Sequence, residues 1–483
     1  MNGAGDIRGR NLLTNIDWRI VGLYLALILV GWLNIYASEY DPENVRSIFS
    51  WSLRSGKQFV WILTALALGS LVLFVIPFRA FETLAPLAYV CVGFLLVAVI
   101  FLGASTRGSH SWFVLGPISF QPAELSKITT SLMLAKFMSR YTYRLSNTRD
   151  FFLTLALIFV PMLVIVAENE TGTALVYLSF FFMLYREGLS GWLLFIAFMV
   201  VVIFILTLTA SPYTALLMAL AVIALCVSIE RNKIKWIFSL YLPLCIILSF
   251  LPYACRTYAF LSWLNPMYVL WVAAAACVIG FVIKGYQEKN SFKMLASVAV
   301  VLAVIITLSV PFIFEKVLQQ HQRTRIEVLL GMKNDPAGAG YNVRQSMIAI
   351  GSGGLTGKGY LQGTQSSYGF VPEQSTDFIF CTIGEEWGFL GSVLTILLYV
   401  LLIWRIIMRS ENSREKFTRI YGYCVASIIF MHLVVNIGMT IGLMPVIGIP
   451  LPLVSYGGSS LWAFTVMIFI FVSLCRNEKK YFL

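Results

Sequence analysis

Long apolar runs recur down almost the whole chain. They constrain the fold more than any other feature, because a backbone inside hydrocarbon must satisfy its own hydrogen bonds and a helix needs about 20 apolar residues to cross. Counting them gives fourteen spans, near 20–37, 57–77, 84–102, 122–139, 151–167, 173–185, 188–209, 213–229, 236–253, 266–284, 294–314, 376–404, 418–443 and 452–475. The run at 173–185 is short for a crossing, so one re-entrant segment stays open. The expected fold class is an all-α polytopic membrane protein, a helical bundle of about 14 transmembrane spans. With 59% of its residues hydrophobic and 12% charged, the chain has no water-soluble core to build.

The net charge of +12 does not point to nucleic acid, because the Lys and Arg fall in short segments between apolar runs rather than on one basic face. With the N-terminus inside, the inner segments carry Arg79, Arg140, Arg144, Arg149, Arg186, Arg231, Lys284, Arg405, Arg409, Lys479 and Lys480, among others. The outer segments are poorer in cations or acidic, as at Glu168 and Glu170. Both termini are therefore expected in the cytoplasm, with the first apolar run a retained anchor rather than a cleaved signal. The eight cysteines are scattered without a CxxC and read as small hydrophobes.

One stretch breaks the apolar pattern. From Glu315 about sixty residues pass without a bilayer-length run, and thirteen of the 35 glycines fall between Gly331 and Gly391. Such a backbone can turn sharply and approach a ligand closely. By the charge bias this stretch, 315–375, is a large extracytoplasmic loop, and its interleaved Tyr341, Ile348, Tyr360 and Phe370 argue for order.

Four other places carry polar groups against the apolar background. Pro122 opens a helix bearing Glu124 and Lys127 at i,i+3, an ion pair that lines a cavity or snorkels to water. The break Glu168-Asn169-Glu170-Thr171-Gly172-Thr173 is either a solvated loop or a broken helix carrying Glu170 into the bundle. Glu385 and Glu386 lie within an apolar run, where acids need partners. The fourth place, GLMPVIGIPLPLVSYGGSS from Gly442 to Ser460, reads as a re-entrant segment lining a cavity or as a kinked turn.

Familiar catalytic motifs are missing: there is no HExxH, no GxSxG and no metal-like clustering of His110, His321 and His432. GSGGLTGKG departs from a phosphate-binding loop, with Ser352 in place of the first Gly and Gly359 after Lys358. What remains are the carboxylates Asp335, Glu373 and Asp377, and Asn334-Asp335-Pro336 is also an ordinary turn opener.

FQPAELSK (Phe120–Lys127), NDPAGAGYNVRQSMIAIGSGGLTGKGYLQGTQ (Asn334–Gln365), VPEQSTDFIF (Val371–Phe380), IGEEWGFLG (Ile383–Gly391) and the Gly442–Ser460 segment together resemble the SEDS family of RodA and FtsW peptidoglycan glycosyltransferases. The resemblance covers most of the chain outside about 210–295, and GKGYLQGTQ with PEQ is closer to the elongation type than to the division type. Three departures stand out. Members have about ten spans, so 210–295 reads as a peripheral four-span insertion; Ser111 stands where the family often has Arg before Trp112; and Glu170 stands in place of the Asp of QPDLGTA.

The resemblance implies polymerisation of lipid II into glycan strands at the outer face of the bacterial cytoplasmic membrane during cell elongation. It implies Asp335 as general base, with Lys127, Glu124 and Glu170 organising the substrate cavity and Arg344, Glu373 and Asp377 as substrate contacts. Expected partners are lipid II, the lipid-linked glycan, a class B penicillin-binding protein acting as transpeptidase, and the elongation machinery. No cofactor is fixed; a divalent cation stays open. The alternative is a flippase or transporter of lipid-linked precursors, which broken helices and buried charges would equally suit.

Overall fold

The computed structural model describes residues 16–106, 109–115, 118–230, 242–258, 263–318, 320–333 and 339–478. Among these, eleven helices are long and apolar enough to cross a membrane. The other three expected spans fall on shorter helices. Pro122–Met138 has 17 residues, Leu242–Thr257 has 16, and the run at 173–185 is broken into two short helices and a 3₁₀ turn. The chain divides into two compact units, 1–189 with 335–483, and 190–334.

In the first unit, α1 (Trp18–Ala37), α2 (Arg54–Phe74) and α3 (Phe78–Leu102) lead into a small sheet that an all-α expectation leaves out. Its strands are β1 (Ala104–Thr106), β2 (Ser109–Leu115) and β3 (Ile118–Phe120), paired antiparallel in the order β1-β2-β3. The alternation Phe113, Val114, Leu115 against Ile118, Ser119, Phe120 suits a pleated ribbon, and seven residues are too few for a hydropathy window to separate from a helix. Then come α4 (Pro122–Met138), α5 (Thr148–Ala167), α6 (Thr171–Val176) and α7 (Phe180–Arg186). After residue 335 the unit continues with α14 (Ala339–Ser352), α15 (Thr364–Ser367), α16 (Ile379–Glu411), α17 (Lys416–Thr440) and α18 (Gly458–Glu478).

The core of this unit gathers on α17, which packs against α4, α7, α16 and α18 and buries Tyr421, Cys424, Ile428, Val435 and Met439. The Tyr24 hydroxyl, 2.8 Å from Thr465 Oγ1, ties α1 to α18 inside that core. Between α17 and α18 the chain is irregular yet buried at Ile449, Leu451, Leu453 and Val454. The last span therefore begins at Gly458, later than the sequence reading placed it. Gly31 on α1 permits this segment to approach, since a Cβ there would lie 2.6 Å from Val454 Cα.

The kink in α16 is the second device of this unit. Gly388 has φ 65 and ψ −158, so the amides of Phe389 and Leu390 lose the carbonyls of Glu385 and Glu386. The glycine-rich loop replaces those bonds. Phe389 N–H donates to Gly354 O (2.9 Å) and Leu390 N–H to Leu355 O (3.1 Å), while Glu385 O and Glu386 O accept from Lys358 N (3.0 Å) and Gly359 N (3.0 Å). A Cβ on Gly357 would lie 2.1 Å from Glu386 O, which is why the loop needs glycine at that point. GSGGLTGKG is thus a plug in a helix ladder.

The second unit holds α8 (Gly191–Thr209), α9 (Pro212–Glu230), α10 (Leu242–Thr257), α11 (Pro266–Gln287), α12 (Ser291–Phe312), a π-helical turn at Ile313–Val317, and α13 (Gln320–Leu329). Small residues at Ala215, Ala219 and Ala303 bring α8, α9 and α12 together around Ile203 and Leu216. Asn265 and Asn290 cap α11 and α12, accepting from Met267 N (3.0 Å) and Phe292 N (2.9 Å). This unit extends beyond 210–295 at both ends.

Candidate functional site

The polar residues of the first unit fall into three groups. The deepest starts on α4, where Pro122 at the first helical turn needs no N–H partner and Glu124 and Lys127 share a face. Lys127 is fully buried, its Nζ 2.8 Å from Glu124 Oε1 and 3.0 Å from His432 Nε2, with the Phe464 ring centroid at 5.0 Å. Of the two readings of this pair, burial excludes the snorkelling one. His432, on α17, reaches Pro450 O through Nδ1 at 3.1 Å.

The second group is the break between α5 and α6. The structure puts Glu168, rather than Glu170, in the interior: Glu168 is 1% exposed and Glu170 half-buried. Burial, reinforced by the neighbouring Glu170 carboxylate, pushes the Glu168 carboxyl up to about 8, so it is largely protonated near neutrality. Glu170 accepts a 2.6 Å hydrogen bond from the buried Ser111 hydroxyl on β2. Ser111 and Glu170, both singled out in the sequence as departures within the resemblance, are therefore in contact with each other.

The third group joins the 371–377 stretch to the irregular 449–457 stretch. Ser455 Oγ donates to Thr376 O (2.6 Å) and accepts from Leu451 N (2.8 Å), and Tyr456 N–H donates to Ser375 O (2.8 Å). Asn436 on α17 donates to both Asp377 O (2.8 Å) and Ile449 O (2.7 Å). Asp377 is half-buried, with Oδ2 3.3 Å from the place a Cβ on Gly448 would take. Glu373 holds the left-handed φ of 54 and accepts from Thr376 Oγ1 at 3.1 Å, a strained turn of the sort that collects at functional sites. Arg54 reaches this group from α2, donating to Ser375 Oγ, pairing with Glu39 at 3.1 Å and standing over the Tyr456 ring.

Of the residues singled out from sequence, Glu124 and Lys127 come together, and Asp377 and Glu373 share one turn. Arg344 is exposed on α14. Asp335 lies outside the described residues, as do the side chains of Arg107 and His110. Glu385 is buried and fully partnered, accepting from Lys358 Nζ (2.7 Å), Gln365 N (2.8 Å), Ser366 N (2.9 Å) and Ser366 Oγ (2.7 Å). It anchors the loop ahead of 371–377. His432 and Asn436 were not chosen from sequence, where their signal was a histidine and an asparagine four residues apart in an apolar run; Ser111 and Glu168 were noted there but not chosen as site residues.

A helical bundle with buried ion pairs and an irregular buried segment, joined at a turn rich in carboxylates, is a polytopic membrane protein built around a polar site. The chain belongs to the FtsW/RodA/SpoVE family of cell cycle proteins, the SEDS family, whose model matches residues 17–219 and 274–480. It is 32% identical over 420 residues to the peptidoglycan glycosyltransferase MrdB of Escherichia coli K12, covering 86% of this chain and 84% of that protein. It is 31% identical over 477 residues to the peptidoglycan glycosyltransferase RodA of Treponema pallidum, covering 98% and 99%. Its fold is similar to that of a chain in a structure described as the structural coordination of polymerization and crosslinking by a peptidoglycan synthase complex, with TM-score 0.59, 23% identity, and 96% and 98% of the chains covered. It is also similar to the rod shape determining protein RodA of Thermus thermophilus, with TM-score 0.55, 22% identity, and 97% and 99% covered.

Proposed function

We infer that this multi-pass membrane protein is a peptidoglycan glycosyltransferase that polymerises lipid II into glycan strands and releases undecaprenyl pyrophosphate. The observation that carries the reading is family membership joined to relatives of that activity at 31–32% identity over most of the chain. The chemistry asks for a base to take the proton from a sugar 4-hydroxyl as it attacks an anomeric carbon, and for fixed polar groups where charge develops on the leaving pyrophosphate. Asp335 is the base. Arg344, Glu373 and Asp377 contact substrate, and Glu124, Lys127 and Glu170 shape the cavity from within. No residue cluster of metal-ligand type occurs among the described residues, and a divalent cation remains an experimental variable.

The chain crosses the bacterial cytoplasmic membrane fourteen times, with four of the spans an insertion near 210–295; the family model leaves 220–273 unmatched. Both termini are cytoplasmic and the 315–375 loop is extracytoplasmic. Single cysteines at positions 5, 337 and 480 test this orientation: above the background of the eight native cysteines, an impermeant thiol reagent should label only 337 in intact spheroplasts, and labelling of position 5 reverses the topology.

Glycan strands need crosslinking, so the partner is a class B penicillin-binding protein of the elongation machinery. Purified full-length chain given labelled lipid II should form polymer, and more of it when the cognate transpeptidase is added. Equal polymer with and without every candidate transpeptidase removes the coupling; no polymer under either condition removes the activity.

A further inference from the structure

We propose that His432, with Asn436 one helical turn further along α17, is a positioning residue that joins the buried Glu124–Lys127 pair to the Asp377 turn. The inference rests on the glycosyltransferase reading only for its kinetic consequence; the link itself is a matter of geometry. Residues four apart on a helix present side chains to the same side, and here the two act on consecutive carbonyls. Asn436 Nδ2 donates to Ile449 O at 2.7 Å and His432 Nδ1 faces Pro450 O at 3.1 Å. Both carbonyls belong to an irregular stretch, buried at Ile449 and partly buried at Pro450, that has no helical or strand ladder to satisfy them, and Pro450 contributes no N–H of its own.

The two hydrogen bonds of His432 fix its protonation. A carbonyl only accepts, so Nδ1 carries the proton. Nε2 then presents its lone pair to the Lys127 ammonium 3.0 Å away. A second proton on the ring would turn an N–H toward that ammonium in a site where His432 is 2% exposed and Lys127 fully buried. The imidazole is therefore neutral, one lysine N–H goes to Glu124 Oε1 at 2.8 Å and another to His432, and the Phe464 face takes the remaining side of the charge at 5.0 Å. The Phe464 ring also holds the imidazole edge-on, with centroids 5.0 Å apart at 89°.

Through Asn436, which also holds Asp377 O at 2.8 Å, the chain of contacts runs from α4 through α17 to the strained turn that carries Asp377 and Glu373. Its middle members, Lys127, His432 and Asn436, are all buried, so their role is to set where the carboxylates at the far end of the chain of contacts stand rather than to touch substrate. Loss of these contacts should lower turnover and leave substrate affinity in place.

Two near-isosteric variants separate the two hydrogen bonds. Asn at 432 can keep the donor to Pro450 O and loses the acceptor for Lys127; Gln reaches Lys127 with its carbonyl and loses the donor to Pro450. In the full-length chain with labelled lipid II, His432→Ala should cut kcat at least tenfold with KM within twofold, and His432→Asn and His432→Gln should each recover part of that loss. A parental kcat for His432→Ala, or a loss carried wholly by KM, overturns the proposal. If the parent itself makes no polymer, the glycosyltransferase reading fails, and thermal melting still decides the link. His432→Ala and Lys127→Met together should then lower Tm less than the sum of the two separately, and strict additivity would reject it.

Discussion

A chain carrying Asp335→Asn is expected to insert, fold and bind its partner, yet to polymerise lipid II about 10² to 10⁴ times more slowly than the parent. The amide is nearly isosteric with the carboxylate but a far poorer base. In sequence, Asp335, Pro336 and Gly338 are residue types that can fix a carboxylate while letting backbone come close to a sugar. Asp335→Glu should retain a trace of activity, because the longer arm misplaces the charge. Glu373→Gln and Asp377→Asn are the companion measurements: a loss confined to one of these would move the base to the strained turn at 371–377. A parental rate in a folded Asp335→Asn protein leaves only the turn-opener reading.

Lys127→Met is expected to cost about 3 to 5 kcal/mol of stability, because it leaves the buried Glu124 carboxylate without its ammonium. An exposed pair at the same spacing would be worth about 1 kcal/mol or less; full burial of Lys127 decides between the two. Glu124→Gln combined with Lys127→Met removes both charges and should restore much of the loss. Thermal melting of the three purified variants measures this. If the double variant is as unstable as Lys127→Met, the charge pairing is not what the site depends on, and direct contact of Lys127 with substrate becomes the better account of any lost activity.

The residues differ in how far they could be read from the chain. Glu124 and Lys127 were legible because Pro122 marks the helix start and three residues bring two side chains onto one face. Their partner His432 is 305 residues away, and no local pattern announces such a contact. Glu168 and Glu170 look alike in sequence; the left-handed φ of 62 at Asn169 separates their directions, and only one enters the interior. The glycine-rich stretch was legible as unusual backbone but not as a plug, since its purpose depends on the kink at Gly388 in another element. Apolar length located the membrane-length helices, yet it missed α13, α14 and α15 within the expected 315–375 loop and the β1-β2-β3 sheet, and it placed the last span's start too early, because hydropathy registers neither short polar helices nor the difference between buried irregular backbone and a helix.

A protein that joins sugars and one that moves their lipid carrier across the membrane behave differently in a closed bilayer. Sealed vesicles holding the full-length chain and fluorescent lipid II separate the two, with polymer read on a gel and translocation read by protection of the fluorophore from an impermeant quencher. The parent is expected to give a ladder of glycan polymer and Asp335→Asn residual monomer, with the same protected fraction in both as in vesicles without protein. Protein-dependent change in protection, unaccompanied by polymer, would contradict the glycosyltransferase reading and establish the carrier-moving alternative.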